Sequence, residues 1–423
     1  MKQNLANNEI QLLIFEPSVF FLLRGKRVLI YDADNGLKLT YESPIIVSFL
    51  SESRHEYYHY FFLPSKNNIN EEIKAFIDDI TKNKFGFLIL KKDDTHEPVQ
   101  FVPQIIHKQI SSLHSNSKGY ETNVDIRNLN EITVFLNNKS IFSDMSVEKK
   151  ESVEYKSSSL DNLDNQLNLE EFCKFVQPAL VLNTLFRINI KGKIFVYSQL
   201  SELVSFIRKH DKKLHINYFV DFESLNSNID LVKEILVLNS TITLIIKSSL
   251  YQTDITNLIY TLGDKWEYIK LQCIVENKND FYNFQEMLDK IVLSQVIYKP
   301  YFNGNNYSFF EENIFLNIDD INSLKPSKVD VLKRQHLNPL DFGKIIILSN
   351  GNVHANCNNP IIGNISNDNI YNIIGKELTN GKSWLKTRKM VNPCKSCIYE
   401  IICPPISNYE YIFKRFNLCH III

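Results

Sequence analysis

Cysteine is concentrated at the end of this chain, where four of its seven cysteines fall within the last thirty of 423 residues. Two thiolates separated by two residues bind one metal centre from a single turn, and two more from further along complete a four-thiolate shell. The spacing C-x2-C-x5-C-x15-C is of this kind, whereas unrelated buried cysteines rarely fall at ligand spacing. We therefore predict that the metal ligands are Cys394, Cys397, Cys403 and Cys419.

The composition is that of an ordinary soluble globular protein, with 44% hydrophobic and 22% charged residues. With 47 Lys and Arg against 48 Asp and Glu, no large field of one sign would attract nucleic acid or an anionic membrane, so we expect neither as a partner. The sequence has no signal peptide near Met1 and no apolar run long enough to span a membrane, which predicts a cytoplasmic protein. In that reducing compartment closely spaced cysteines favour metal over disulfides, and the spacing leaves iron–sulfur and zinc both open.

The N-terminal region has the pattern of a small α+β unit. Asn35-Gly36 lies between two β-rich runs, and because both residues tolerate positive φ the pair predicts a hairpin turn. Apolar residues at helical spacing predict an amphipathic helix over 70–82, and the combination of short strands and helices is winged-helix-like. The predicted strands are 18–24, 27–31, 37–41 and 57–63, and the other predicted helix is 44–51.

Strand and helix patterns then alternate regularly, apart from a polar stretch over 137–168 that predicts a loosely packed loop. Repeating strand–helix units imply a parallel sheet with helices outside, so we predict an α/β fold with a partial (β/α)6 TIM-type barrel. A site would open at the carboxyl ends of its strands. No Gly-rich phosphate fingerprint follows any strand, which argues against a Rossmann cofactor site. The predicted strands are 128–136, 186–190, 214–221, 241–247, 268–276 and 295–301.

These three regions, in this order, resemble the radical SAM peptide maturases. Those enzymes combine a peptide-recognition winged helix, a partial barrel and a cysteine-rich SPASM domain. The hairpin pattern over 345–365 looks like the start of a SPASM domain, because it supplies Cys357 and ends in Gly363-Asn364-Ile365. The spacing Cys394-x2-Cys397-x5-Cys403 is the next SPASM signature.

The end of the chain is similar to a narrower family, the pseudo-radical-SAM proteins of the GG-Bacteroidales peptide-modification system. The residues that carry this resemblance are 404–410 and Asn417-Leu418-Cys419-His420. Members also open with a segment like 12–17 and a hairpin like 31–36. The resemblance covers nearly the whole chain.

The chain departs from active radical SAM enzymes at both halves of their active site. Those enzymes carry C-x3-C-x2-C after the first barrel strand, where three thiolates hold the [4Fe–4S] cluster that cleaves S-adenosylmethionine. Here the first strand ends at Leu136, no cysteine occurs in 137–144, and the first cysteine of the chain is Cys173. Lys191-Gly192-Lys193 replaces the Gly-Gly-Glu expected after the second strand. The resemblance therefore implies no S-adenosylmethionine, no catalytic residue and no catalysis by the isolated protein.

The SPASM-like part is also reduced. The resemblance implies one auxiliary [4Fe–4S] cluster, held by the four cysteines of the tail. Ligands of a second cluster are missing, because Ser407 stands at one ligand position and the upstream cysteine pair is absent. Cys357 would then be left as a free thiol, and zinc at the four tail cysteines is the alternative to the cluster.

The resemblance divides the chain into four parts. They are a winged-helix-like peptide-recognition domain over 1–110, a linker with the first barrel strand and the polar loop over 111–168, a degenerate radical SAM-like barrel over 169–335, and a SPASM-like metal-cluster domain over 336–423.

The function that the resemblance implies is that of a non-catalytic partner, which helps a radical SAM maturase modify a ribosomally made precursor peptide. In recognition domains of this kind the peptide adds as a strand beside the third strand, here 37–41. Two alternatives remain open, namely a redox subunit that relays electrons through the cluster and a zinc-stabilised scaffold that binds a peptide. An independent enzyme would require activity of the isolated protein.

Overall fold

The computed structural model describes the chain in segments separated by gaps. They cover residues 10–52, 60–63, 69–91, 126–138, 165–182, 185, 187–210, 214–236, 239–247, 252–289 and 295–421. The strands are β1 (Ile10–Phe15), β2 (Val19–Arg24), β3 (Arg27–Asp32), β4 (Lys38–Glu42), β5 (Tyr60–Phe62), β6 (Gly86–Lys91), β7 (Glu131–Phe135), β8 (Arg187–Lys191), β9 (His215–Asp221), β10 (Ser240–Ile246), β11 (Ile269–Val275), β12 (Val296–Pro300), β13 (Lys344–Ile347), β14 (Asn352–His354) and β15 (Gly363–Asn364). The helices are α1 (Pro44–Glu52), α2 (Glu71–Lys82), α3 (Leu169–Val181), α4 (Leu200–Arg208), α5 (Phe222–Asn226), α6 (Ile229–Ile235), α7 (Gln252–Leu262), α8 (Lys278–Leu288), α9 (Tyr307–Asn313), α10 (Ile318–Ser323), α11 (Lys328–His336), α12 (Ile370–Asn380) and α13 (Asn408–Ile412).

Strands β2, β3 and β4 form an antiparallel sheet, which confirms three predicted strands and the turn between the last two. Gly36 has a φ of 77°, a conformation that glycine adopts without strain. The Gly36 N–H donates to the Asp32 carbonyl at 2.8 Å, and the Asp34 N–H donates to the Asp32 carboxylate at 3.1 Å. These bonds close the turn and set Ile30 opposite Leu39.

Helices α1 and α2 are where the sequence predicts them. The Asn70 side chain caps α2 by accepting a hydrogen bond from the Glu72 N–H at 2.8 Å. The predicted apolar face of α2 is buried together with residues of α1, β1 and β3 in one hydrophobic core. Its buried residues are Ile73, Phe76, Ile77 and Ile80.

A second antiparallel sheet, of order β5-β1-β6, was not predicted in full. The sequence predicts a strand over 57–63, of which the structure describes Tyr60–Phe62 as β5, but it predicts no strand where β1 and β6 lie. β1 pairs with β6 over its whole length, from Ile10 opposite Lys91 to Phe15 opposite Gly86. The described part of the N-terminal region is therefore two three-stranded sheets with two helices, and it does not show a winged helix.

A nine-stranded sheet forms the body of the molecule, in the order β12-β11-β10-β9-β8-β7-β13-β14-β15. Strands β7 to β12 are parallel and lie side by side in chain order, which confirms all six predicted strands. Each pair keeps the buried residues in register, as Ile132 lies opposite Ile188 and Ile188 opposite Ile216. The fold is thus α/β with a mostly parallel sheet. The described strands end at open edges and do not close a barrel, so the partial barrel stays a prediction.

The residues after α11 continue the same sheet. Strand β13 pairs in parallel with β7, and β13, β14 and β15 form the predicted antiparallel hairpin structure. Trp384, which is fully buried, lies in the main hydrophobic core and donates its indole N–H to the Lys344 carbonyl at 2.9 Å. The cysteine tail is therefore anchored on the strand that extends the parallel sheet.

Most of the predicted polar loop, 139–164, lies outside the described residues, as do 53–59 and 92–125. In the part of the chain that the structure describes, no helix is both long enough and apolar enough to cross a membrane.

Candidate functional site

The four predicted ligand cysteines are positioned by local turns and one bridge. Cys394 opens a 3-10 turn, and the Cys397 N–H donates to the Cys394 carbonyl at 2.9 Å. The Cys403 N–H donates to the Tyr399 carbonyl at 3.0 Å, which folds the intervening segment back on itself. Cys419 returns from further along the chain because it forms a β-bridge with Leu316.

The structure brings these four thiols into one neighbourhood. Burial raises the pKa of Cys394 and Cys397, and it raises the pKa of Cys403 to about 12. A charge on Cys419 raises the pKa of each of these three thiols further, and Cys403 is affected by Cys394 and Cys397 as well. Cys394, Cys397 and Cys403 thus each lie close enough to other tail thiols for the pKa to be affected.

The donor chemistry fits a metal centre, because four thiols that become thiolates are what both an iron–sulfur cluster and structural zinc require. Among the residues that the structure describes, no three His, Cys, Asp or Glu side chains form a group that could hold a metal ion. The thiols are neighbours without forming a preassembled ion site. Binding of an iron–sulfur cluster or of zinc at these thiols therefore stays a prediction.

Hydrogen-bond donors reach two of the sulfurs. The Arg388 Nη1 donates to Cys394 Sγ at 3.4 Å, and the Tyr399 backbone N–H donates to the Cys397 thiol. The Cys394 thiol itself donates to the Phe416 carbonyl at 3.1 Å. Donors to sulfur stabilise thiolate charge and are a common feature of the surroundings of metal-bound cysteines.

Arg388 and Glu410 form a buried ion pair beside the thiols, and the sequence alone did not single them out. Nη1 of Arg388 lies 2.8 Å from Oε1 of Glu410, and the two side chains are 12% and 1% exposed. Burial would lower the pKa of Arg388, but the Glu410 carboxylate, Cys403 and Cys394 outweigh it and the pKa is raised. One signal was available, since Glu410 stands three residues after Ser407 in the spacing of a helix capping box.

The first N-terminal sheet packs directly on the tail. Leu29 and Tyr31 of β3 share a hydrophobic cluster with Ile398, Ile401 and Ile402, which lie between the second and third cysteines. The segment between the cysteines is thus the surface on which this sheet rests.

Arg24, at the end of β2, joins the sheet to the same segment. Its Nη2 lies 2.7 Å from Oε2 of Glu400, and its Nε donates to the Lys395 carbonyl at 2.8 Å. Burial raises the pKa of Glu400 and Arg24 opposes this effect. Glu400 is almost fully buried, so its ion pair with Arg24 replaces the hydrogen bonds to water that the carboxylate loses on folding.

Lys191-Gly192-Lys193, the segment that replaces Gly-Gly-Glu, follows the second parallel strand as predicted. Gly192 has a φ of 96°, and the Asn137 side chain accepts from the Lys193 N–H at 3.0 Å and donates to the Lys193 carbonyl at 2.9 Å. The Lys191 ammonium lies 4.6 Å from the centre of the Phe219 ring. The loop therefore directs a buried cation onto the inner face of the sheet.

A cavity of about 260 Å³ lies against this face, and we refer to it as the central cavity. One wall comes from β7, β8, β9, β11 and β13, and the other comes from residues that precede β13 or follow β14, together with Asn408 of the tail. Among its lining residues are Thr133, Asn189, Lys191, Gln272, Asp341 and Asn356.

The remaining cysteines are not part of the tail site. Cys357 lines the central cavity, and burial raises its pKa to about 12, which keeps it a thiol. Cys273 is buried in the main hydrophobic core and Cys173 packs against that core. All three are free cysteines in the structure.

Comparison with known proteins adds little to this picture. No family model matches the chain, and no curated protein matches its sequence. The chain is similar to the crystal structure of selenomethionine-labelled BtrN in an open conformation, with 13% identity and a TM-score of 0.28. That match covers 64% of this chain and 92% of the BtrN chain, and a likeness at this TM-score carries no argument about function.

Proposed function

We propose that the protein is a non-catalytic pseudo-radical-SAM partner, which helps a radical SAM maturase modify a ribosomally made precursor peptide. In this proposal the tail is a SPASM-like domain that holds one auxiliary [4Fe–4S] cluster at Cys394, Cys397, Cys403 and Cys419. The parallel sheet would be the degenerate partial barrel. The observation that carries the proposal is the direct packing of a sheet with an open edge on the cysteine tail.

The first support comes from strand β4, which lies at the edge of its sheet among the described strands. The Asp32 N–H donates to the Leu37 carbonyl at 3.0 Å and the Ser43 N–H donates to the Lys26 carbonyl at 2.7 Å. The backbone groups of the β4 residues in phase with Leu37 and Ser43 therefore face β3. Thr40 is exposed and lies one residue out of phase with that set, so its backbone N–H and C=O point to the open edge of the sheet. A peptide strand would pair there by β-augmentation.

Helix α2 lies beside this edge. The Tyr41 hydroxyl donates to Asp79 at 3.3 Å, and the Tyr41 ring lies 5.2 Å from that of Phe76 in an edge-on contact. A strand added to β4 would therefore have a helix with apolar and acidic side chains next to it, which gives side-chain selectivity in addition to backbone pairing.

The second support comes from the tail. Four thiols of suitable spacing, with a guanidinium and a backbone N–H directed at two of them, favour a site that carries negative charge when loaded. When bound, an iron–sulfur cluster would supply electron transfer or structural cross-linking. This chain's own residues would hold the thiolates, and Arg388 would offset their charge.

Co-expression with a radical SAM maturase from the same system tests the partner role. We expect the two proteins to co-purify with the precursor peptide, and the Thr40→Pro variant should lose the peptide because proline removes the outward N–H. Thr40→Val, which keeps that N–H, is the matched control. Absence of any complex, with or without peptide, contradicts the proposal.

A redox subunit is the second candidate, and the positive charge beside Cys394 favours it because such charge eases reduction of a cluster. An anaerobic preparation should give an electron paramagnetic resonance signal on reduction. Cys397→Ser should then abolish turnover by the partner while the complex stays intact. If the variant unfolds instead, the metal is structural.

The zinc-stabilised scaffold is distinguished by metal content. Iron, sulfide and zinc are measured in protein purified without oxygen. About four irons and four sulfides per chain support the cluster, whereas one zinc without sulfide supports the scaffold.

A further inference from the structure

The central cavity is lined by polar side chains that the fold has buried. Asn189, Lys191, Gln272, Asp341 and Asn356 are each at most 8% exposed. Burying such groups costs free energy unless they find partners, and a scaffold alone would be more stable with an apolar filling. A concave pocket in which several buried polar side chains converge is typical of a site that takes a ligand.

The wall opposite the sheet is held by a closed network of amides. Nδ2 of Asn338 donates to one oxygen of Asp341 at 3.1 Å, and Nδ2 of Asn356 donates to the other at 3.0 Å. Nδ2 of Asn356 also lies 2.8 Å from Oδ1 of Asn408, which belongs to the tail. This wall is therefore fixed in place before any ligand arrives.

The wall on the sheet is fixed in the same manner. Nδ2 of Asn189 donates to Glu131 at 2.9 Å and lies 3.3 Å from the Thr133 hydroxyl. Oε2 of Glu131 lies 3.6 Å from Nη1 of Arg187, so a neighbouring cation balances this carboxylate. The polar groups on this side form a ladder across adjacent strands.

The charges of the lining favour an anion. Lys191 and Lys344 both line the cavity, while Glu131 is balanced by Arg187. Burial raises the pKa of Asp341 to about 7, so a large share of this carboxyl is uncharged near neutral pH. An organic cation is a poor fit, because the Lys191 ammonium already lies over the rings of Phe219 and Phe135.

We propose that the central cavity binds a small carboxylate, with the Lys191 ammonium as its charge partner and the Gln272 and Asn189 side chains as neutral partners. The cavity has room for a molecule of a few carbon atoms. The carboxylate belongs either to a free metabolite-sized acid or to an Asp or Glu side chain of a peptide. This binding site stands whether or not the tail holds a metal.

Isothermal titration of the full-length protein tests the proposal with matched pairs of probes. Glutarate is compared with glutaramide, which has the same shape and no charge, and N-acetyl-glutamate methylamide is compared with its glutamine analogue. We expect the charged member of at least one pair to bind at least about tenfold more tightly than the neutral one. Tighter binding of glutarate indicates a free acid as the natural ligand, and tighter binding of N-acetyl-glutamate methylamide indicates an acidic side chain of a peptide.

Variants of the lining test whether the carboxylate binds in the central cavity. Lys191→Met should weaken binding at least about tenfold, because it removes the charge while keeping the volume. Lys193→Met, two residues further on and outside the lining, is the matched control and should bind as the parent does. Gln272→Leu is a second cavity variant in case Lys191→Met is unstable, and melting curves check the fold of each.

Two results overturn the proposal. One is the absence of binding by every carboxylate probe up to about 10 mM, which is weaker than any specific site would be expected to show. The other is binding that the two cavity variants leave unchanged while they remain folded. Iron content of the same samples is measured in parallel, so failure of the tail site is not mistaken for failure of this one.

Discussion

At the scale of single residues, the Arg388 side chain makes hydrogen bonds to five residues of the tail. It donates to Glu410, to Cys394, to the Phe416 carbonyl at 3.1 Å and to the Pro405 carbonyl at 3.3 Å, and its Nε donates to the Pro404 carbonyl. Apart from Cys394, these partners all lie between Cys403 and Cys419 in the chain. A single guanidinium thus fixes chain segments that carry the thiols.

We predict that Arg388→Gln destabilises the protein by about 3 kcal/mol or more, because it leaves the carboxylate of Glu410 buried without a cation. Urea unfolding of the metal-loaded protein measures the change. Arg388→Lys should be intermediate, since lysine keeps the charge and loses the forked geometry. Lys389→Gln, at an exposed neighbour, is the control, and an Arg388→Gln loss no larger than that of the control contradicts the prediction.

Asp341 leads to a prediction about pH. Burial raises the pKa of the Asp341 carboxyl in the folded protein to about 7, well above its ordinary value of 3.8. A carboxyl whose folded pKa is raised stabilises the fold at low pH, and this contribution is lost as the pH rises towards 7. The loss between pH 5 and pH 8 is roughly 2 to 3 kcal/mol if no other group compensates.

Asp341→Asn removes this titration, so the variant should gain stability relative to the parent as the pH is raised from 5 to 8. Urea unfolding of both proteins at the two pH values, in the same metal state, provides the comparison. If the difference in unfolding free energy between variant and parent is the same at pH 5 and pH 8, the Asp341 carboxyl does not titrate in this range.

At the scale of elements, strands that lie next to each other in both chain and sheet were predictable, whereas strands with distant partners were not. β7 to β12 are short segments rich in β-branched and aromatic residues that alternate with helices, so the local pattern predicts each of them. β1 and β6 form a pair although one lies before and the other after both N-terminal helices, and no turn signal joins them. Strand structure there depends on tertiary contacts that local pattern does not contain.

Helix α2 gives the prediction at this scale. Phe76 is 1% exposed and its ring contacts those of Tyr41 and Phe49. Phe76→Ala should therefore cost about 3 to 4 kcal/mol of unfolding free energy, from lost burial and the cavity left behind. Lys74→Ala on the exposed face of the same helix should change stability by less than about 0.5 kcal/mol. A Phe76→Ala loss below about 1 kcal/mol would mean that the N-terminal core does not unfold with the measured transition.

At the scale of the whole molecule, the sequence located the residues with distinctive chemistry but not their surroundings. The cysteine spacing and the lysine pair are visible in the chain because reactive residue types at fixed spacing are rare. Asp341, Asn356 and Asn408 are ordinary residue types far apart in sequence, and only the fold assembles them. The contact between β3 and Ile398–Ile402 is likewise a product of tertiary structure.

That contact predicts a response to metal removal. If the thiols bind a metal, its loss should loosen the segment between Cys397 and Cys403 and with it the sheet that rests there. Hydrogen exchange of metal-stripped and metal-loaded protein should show faster exchange in β3 after stripping. The amides of β10 and β11 in the middle of the large sheet are the internal control. If β3 exchanges equally fast in the stripped and the loaded protein, the stability of the N-terminal sheet does not depend on the metal site.

The pairing of β13 with β7 has a consequence for how the protein is made. Glu131 and Lys344, which lie opposite each other, are separated by roughly 200 residues of chain, a long-range pairing that closes slowly. During synthesis β7 leaves the ribosome with β8 as its next parallel neighbour, but its other edge stays uncovered until β13 emerges. For about half of translation that edge is a template for unwanted association. Chaperones that shield an open strand should therefore raise the yield of soluble protein more than stabilising the tail would.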